Sequence, residues 1–152
     1  MLVRFCLLVL GATVIDGSAA ISTWEPLDLE LQAAQNHAWW EFPVTATFLR
    51  KNQPEEPALK VEGFWDGGNA WRIRTTFPKP GTWQWRTESA DPGLDGKTGT
   101  IEVISPTQSQ TSANPNLRGQ LRVASDHRHF EYADGTPVFL LASTLWAANT
   151  AR

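Results

Sequence analysis

The side chains able to do chemistry fall into three groups. Glu131 and Asp134 carry carboxyl groups, the type that acid–base catalysis uses. His127 and His129, on alternate positions, would share one face of a strand and could offer two imidazoles to a metal ion. The third group is aromatic: 8 Trp and 7 Phe stand against 1 Tyr in 152 residues. Flat apolar rings serve two ends, filling a small core or stacking on the faces of sugars. The choice is sharpest in Gly63 to Arg74, where Phe64, Trp65 and Trp71 crowd around Asp66-Gly67-Gly68-Asn69.

Each group depends on the element that carries it, and those elements read as strands. Leu27, Leu29 and Leu31 alternate with Asp28 and Glu30, the pattern of a strand with one wet face. Phe42, Val44, Ala46 and Phe48 form a second such set, with Pro43 marking a sheet edge or a strand start. Leu59, Val61 and Gly63 continue a third. Trp71, Ile73, Thr75 and Phe77 share a face opposite Arg72, Arg74 and Thr76, and the Asp66–Asn69 corner supplies the positive-φ residues of a hairpin. After Pro78-Lys79-Pro80-Gly81, Trp83 and Trp85 face one way and Gln84 and Arg86 the other. Gly99, Ile101 and Val103 close the series beyond the turn-rich segment Asp91 to Gly96.

Six or seven short strands without a helical period predict an all-β fold, an immunoglobulin-like antiparallel β-sandwich over residues 21–105. Pro80-Gly81-Thr82-Trp83 is similar to the corner of such folds, with Trp83 where a Tyr usually stands. In a sandwich this small, Trp71, Trp83 and Trp85 are expected to fill the core, each in register with apolar neighbours. The Arg side chains at 72, 74 and 86 are expected on the solvated face. Trp39 and Trp40 are adjacent, so in a strand they point opposite ways and one of them faces outward.

Both ends of the chain differ from this pattern. Residues 1–20 read as a secretory signal peptide: Arg4 is followed by an apolar run of about eleven residues and by Gly17-Ser18-Ala19-Ala20, with cleavage after Ala20. The run is shorter than the roughly 20 residues that span a bilayer. Cleavage removes Cys6, the 1 cysteine in the chain, and with it any disulfide, thiolate or Cys-ligated zinc. The expected location is secreted or periplasmic, with no membrane partner after cleavage. A net charge of −3 and the lack of a basic block argue against nucleic acid. Residues 106–116, uncharged and rich in Ser, Thr, Gln, Asn and Pro, read as a linker.

Residues 117–152 begin again, with a β-hairpin over Leu121 to Tyr132, a turn at Ala133-Asp134-Gly135-Thr136, and the apolar run Pro137 to Ala142. A run apolar at every position fits a strand buried on both faces in a parallel sheet. One such strand needs neighbours, so the chain is expected to be the start of a longer protein. Placed in the hairpin and its turn, Glu131 and Asp134 read as structural or solvated, and no catalytic residue is assigned. Two histidines without a third ligand make a poor zinc site. No phosphate loop, nucleophile elbow or heptad is present either, so no metal or cofactor is expected.

The motifs Gly63-Phe64-Trp65-Asp66-Gly67-Gly68, Trp71-Arg72-Ile73-Arg74 and Pro80-Gly81-Thr82-Trp83 resemble the bacterial domain of unknown function 5060. Arg122-Val123 and the run His129 to Leu141 resemble the start of the apiosidase-like family, domain of unknown function 4038. The two resemblances together cover about residues 23–146. They imply a secreted glycoside hydrolase whose (β/α)₈ barrel follows an immunoglobulin-like module, with residues 117–152 supplying only the hairpin and first strand of the barrel. The family's Gly-Asp-Thr-Ala-Trp after that strand is here Ala142-Ser143-Thr144-Leu145-Trp146, which lacks the acidic residue.

Two functions are therefore expected. The first is the amino-terminal part of a carbohydrate-degrading enzyme acting on a polysaccharide or glycan, inactive as this fragment because the paired carboxyl groups of glycoside hydrolysis would sit on later strands. The second is a stand-alone extracellular carbohydrate-binding or adhesion module. Ser143 and Trp146, where the rim of a barrel begins, and Trp39 and Trp40 are the candidate glycan contacts. The hairpin aromatics are expected to be structural.

Overall fold

The structure, a computed structural model, describes residues 20–35 and 42–141. The chain divides into two compact units, Met1–Pro106 and Thr107–Arg152.

The first unit is a β-sandwich of two sheets. Its strands are β1 (Ile21–Ser22), β2 (Leu27–Gln32), β3 (Val44–Arg50), β4 (Leu59–Glu62), β5 (Phe64–Gly67), β6 (Ala70–Thr75), β7 (Gly81–Ser89) and β8 (Thr98–Ile104). The larger sheet has the order β1-β8-β7-β3-β4 and the smaller β2-β6-β5. Neighbours are antiparallel except β1 and β8, which run parallel. The period-two patterns face their apolar halves inward as expected. Leu29 and Leu31 of β2, Val44, Ala46 and Phe48 of β3, Trp71 and Ile73 of β6, Trp83 and Trp85 of β7, and Ile101 and Val103 of β8 form one buried cluster with Phe77 and Leu94.

The rings interlock within that cluster. Phe77 meets Phe48 edge-on at 5.4 Å between centroids and lies tilted against Trp83 at 5.0 Å, offset arrangements that favour aromatic pairs. The indole N–H of Trp83 donates to the Lys79 carbonyl at 3.1 Å, tying the ring back across the Pro80–Gly81 corner. This is the anchoring expected of the aromatic at that position.

One detail decides between readings left open by the sequence, and two differ from it. β3 starts at Val44, so Pro43 marks a strand start; β3 lies between β7 and β4, where a missing N–H would break a ladder. Gly63 does not extend β4. It is the point where the chain leaves the larger sheet and enters the smaller as β5, a strand the pattern did not separate. A Cβ there would lie 2.6 Å from Val44 Cγ1 and 2.7 Å from Ile73 Cδ1, which is why the crossing takes glycine. β1, with two residues, is too short to show alternation.

The turn-rich segment after β7 does more than turn. Asp91, 1% exposed, accepts from the N–H groups of Ala34 at 2.9 Å, Gly93 at 2.7 Å and Leu94 at 3.2 Å. It thereby joins the loop after β7 to the chain just beyond β2, from one sheet to the other. Burial is the strongest single influence on this carboxyl and opposes its charge, but the N–H groups of Ala34, Gly93, Leu94 and Gln35 together prevail and hold its pKa below the ordinary value.

In the second unit the segment read as a linker carries a helix, α1 (Gln108–Ala113), and a 3₁₀ turn (Pro115–Arg118). Thr107 starts α1 through a capping box: its hydroxyl oxygen accepts from Gln110 N–H, and the Gln110 side chain accepts from Thr107 N–H. The expected hairpin is present as β9 (Leu121–Val123) and β10 (Phe130–Tyr132), paired antiparallel. β11 (Pro137–Val138) adds to β10, also antiparallel. The apolar run therefore has no parallel partner among the described residues. Phe139, Leu140 and Leu141 lie outside any strand and exposed, because no second parallel strand flanks them among those residues.

Candidate functional site

The two carboxyl groups of the second unit are engaged in structure. Glu131 on β10 accepts from Arg122 of the neighbouring β9 at 2.8 Å. Asp134 accepts from the Thr136 N–H at 2.9 Å and from Arg118 at 2.9 Å. The Thr136 backbone N–H is the leading cause that lowers its pKa, followed by the Thr136 hydroxyl, with Arg118 adding to them against the effect of burial. A carboxyl held ionised in this way cannot serve as a general acid near neutral pH. His129 Nδ1 lies 3.2 Å from Asp126 in the hairpin turn, and His127 sits in that turn at φ 57. Among the described residues no three His, Cys, Asp or Glu side chains group as metal ligands. The candidate glycan contacts Trp39, Trp40, Ser143 and Trp146 lie outside the described residues.

The smaller sheet presents a more organised surface. On its outer face Arg74 makes a two-pronged contact with Asp28, 2.7 Å from each carboxylate oxygen. Arg72 contacts Asp66 at 2.5 Å, Glu30 at 3.1 Å and Asp28 at 3.5 Å. The hydrogen bond from Arg74 is the leading cause that lowers the Asp28 pKa. Asp66 likewise leads in raising that of Arg72. These arginines are on the wet face, as expected, but they belong to a network of three carboxylates and two guanidinium groups. Register explains it: Asp28 stands opposite Arg74, and Glu30 opposite Arg72.

The aromatics of this hairpin divide. Trp71 is buried at 3% exposure, as the sequence reading expected. Phe64 and Trp65 on β5, which the sequence reading did not place in the core, are 40% and 42% exposed. Trp65 stands directly opposite Trp71, so parity alone places both on the inner face; β5 is the edge of its sheet, which leaves Trp65 open to water. The indole N–H of Trp65 donates to the Gly68 carbonyl at 2.9 Å across the turn, fixing the ring. The Arg74 guanidinium lies 5.7 Å from the Phe64 ring centroid, within the range of a cation–π contact. Gly63, Phe64, Trp65 and Trp71 line a shallow depression beside the edge.

These features define an all-β sandwich whose smaller sheet carries exposed aromatic rings at its edge beside a network of paired charges. Residues 20–90 match the family described as Domain of unknown function (DUF5060). The fold is similar to the crystal structure, at 1.80 Å resolution, of a "putative glycoside hydrolase" from Bacteroides vulgatus ATCC 8482, with a TM-score of 0.65 and 27% sequence identity. The similarity covers 80% of this chain and 22% of that one, so the chain spans about a fifth of the length of the protein it matches. No curated protein matches the chain.

Proposed function

We propose that the chain is the amino-terminal part of a secreted bacterial carbohydrate-degrading enzyme of the apiosidase-like kind. The sandwich, residues 21–105, is its accessory or positioning module; residues 106–116 connect it to residues 117–152, which open the catalytic barrel; and residues 1–20 direct export. The observation that carries this reading is the similarity to the Bacteroides vulgatus protein, which extends over most of this chain and only 22% of the other. The ionic engagement of Glu131 and Asp134 supports a catalytic pair supplied elsewhere, because both carboxylates are already held by arginines. A stand-alone carbohydrate-binding module is the second reading, favoured by the exposed rings of Phe64 and Trp65.

The test is hydrolysis. Residues 21–152 are expected to release no reducing sugar from plant or algal polysaccharides, whereas a protein read through the gene beyond Arg152 is expected to do so. Its added sequence should contain alternating strands and helices with acidic residues at strand ends. Release by residues 21–152 that survives Glu131→Gln and Asp134→Asn would overturn the assignment of catalysis to the later part. A reading frame that stops at Arg152 would move the conclusion to the binding module.

A further inference from the structure

We infer that Trp65, on the free edge of the smaller sheet, is a glycan-stacking residue of the sandwich, and that its ligand is a neutral polysaccharide. The inference rests on the carbohydrate-related reading above and assigns that reading a site.

Trp65 is 42% exposed, yet its one polar atom is already used, since the indole N–H donates to the Gly68 carbonyl. What it offers to a ligand is therefore ring carbon held in one orientation. An indole fixed before binding loses little conformational freedom when a partner arrives, so more of the contact energy is available as affinity. The edge position of β5 leaves this ring open to water while its cross-strand partner Trp71 is buried.

The surroundings select the kind of ligand. The depression beside the ring is lined by Gly63, Phe64 and Trp71, a floor shaped by carbon and by a glycine without a side chain. Among the described residues β5 pairs on one side only, so alternate N–H and C=O groups face outward along the edge, where hydroxyl groups can bond to them. The charges on the same small sheet are paired: Asp28, Glu30 and Asp66 are engaged by Arg72 and Arg74. Among the described residues of this sheet, each guanidinium is engaged by a carboxylate and each carboxylate by a guanidinium, so neither a polyanion nor a polycation finds a free charge there. An apolar ring face, unpaired backbone groups and near-neutral surroundings fit a pyranose with an apolar C–H face and equatorial hydroxyls.

The test uses residues 21–152 in affinity electrophoresis through gels containing galactomannan, arabinoxylan, mixed-linkage β-glucan or polygalacturonate, with thermal melts of each variant. At least one neutral polysaccharide is expected to retard the wild-type protein. Trp65→Ala should weaken that retardation at least tenfold without changing the melting temperature, and Trp65→Phe should restore part of it. Trp83→Ala is the converse control, lowering the melting temperature because its ring is buried. Four outcomes would each overturn the inference: no retardation by any neutral polysaccharide, retardation by polygalacturonate alone, unchanged retardation of Trp65→Ala, or a marked fall in its melting temperature. Retardation that survives Trp65→Ala removes this site and leaves the enzyme reading intact, since that reading is decided by hydrolysis in the longer protein.

Discussion

Asp91 shows how one buried charge can hold two distant parts of a chain. Its carboxylate gathers N–H groups from its own turn and from Ala34, 57 positions earlier, so losing it leaves several donors without an acceptor at once. Asp91→Ala is expected to cost about 3 kcal/mol in urea unfolding, in line with unsatisfied buried donors. The pH dependence follows from the lowered pKa. Because the folded value lies below the ordinary 3.8, the stabilisation is complete above pH 3.8, declines as pH falls below it, and is gone once pH passes the folded value. Acid titration of unfolding free energy should show this loss in the wild type and a smaller one in Asp91→Asn. Identical acid profiles would mean that Asp91 makes no net contribution through its charge.

At the scale of elements, five of the eight strands of the sandwich were legible in the sequence because each has one wet face. Leu27 to Leu31 and Thr82 to Thr87 alternate so regularly that pleat and burial coincide. β4 was legible except for its end, since Gly63 fits a strand pattern equally as a member and as an exit. β5 and β1 were not legible, as one is set by a crossing between sheets and the other by pairing with residues 82 positions away. The exposed ring of Trp65 was hidden for a related reason: alternation gives the face a residue points to but not whether its strand lies at an edge. The role of Asp91 was invisible because turn-forming composition explains an Asp-Pro-Gly segment without reference to its partner. Packing between elements also makes glycines unequal. A Cβ on Gly93 would meet the main chain of Gln32, Ala33 and Ala34, which cannot rotate away, whereas Gly68 has open space and only a left-handed φ of 53. Gly93→Ala is expected to destabilise by about 3 kcal/mol and Gly68→Ala by about 1 kcal/mol, measured by denaturant midpoints. Equal effects would show that the loop after β7 can lift from β2 at little cost.

At the scale of the sandwich as a whole, the parallel pair at one edge of the larger sheet has a mechanical consequence. The chain enters the unit at β1 and leaves it at the end of β8, with Ile21 opposite Val103, Ser22 opposite Ile104, and the Thr23 N–H bonded to the Ile104 carbonyl at 2.8 Å. Tension between residues 20 and 105 drags these two strands in opposite directions along a shared axis. The bonds between them are then loaded together, whereas a hairpin pulled from its open end gives way one bond at a time. Single-molecule pulling from those two positions should show a distinct rupture force that Thr23→Pro lowers, since proline removes the N–H; an unchanged force would place the load on another pair of strands. With β1 and β8 as its clasp, the sandwich transmits force through its two ends as a fastened link in a chain does, holding until the clasp slips and only then paying out its length.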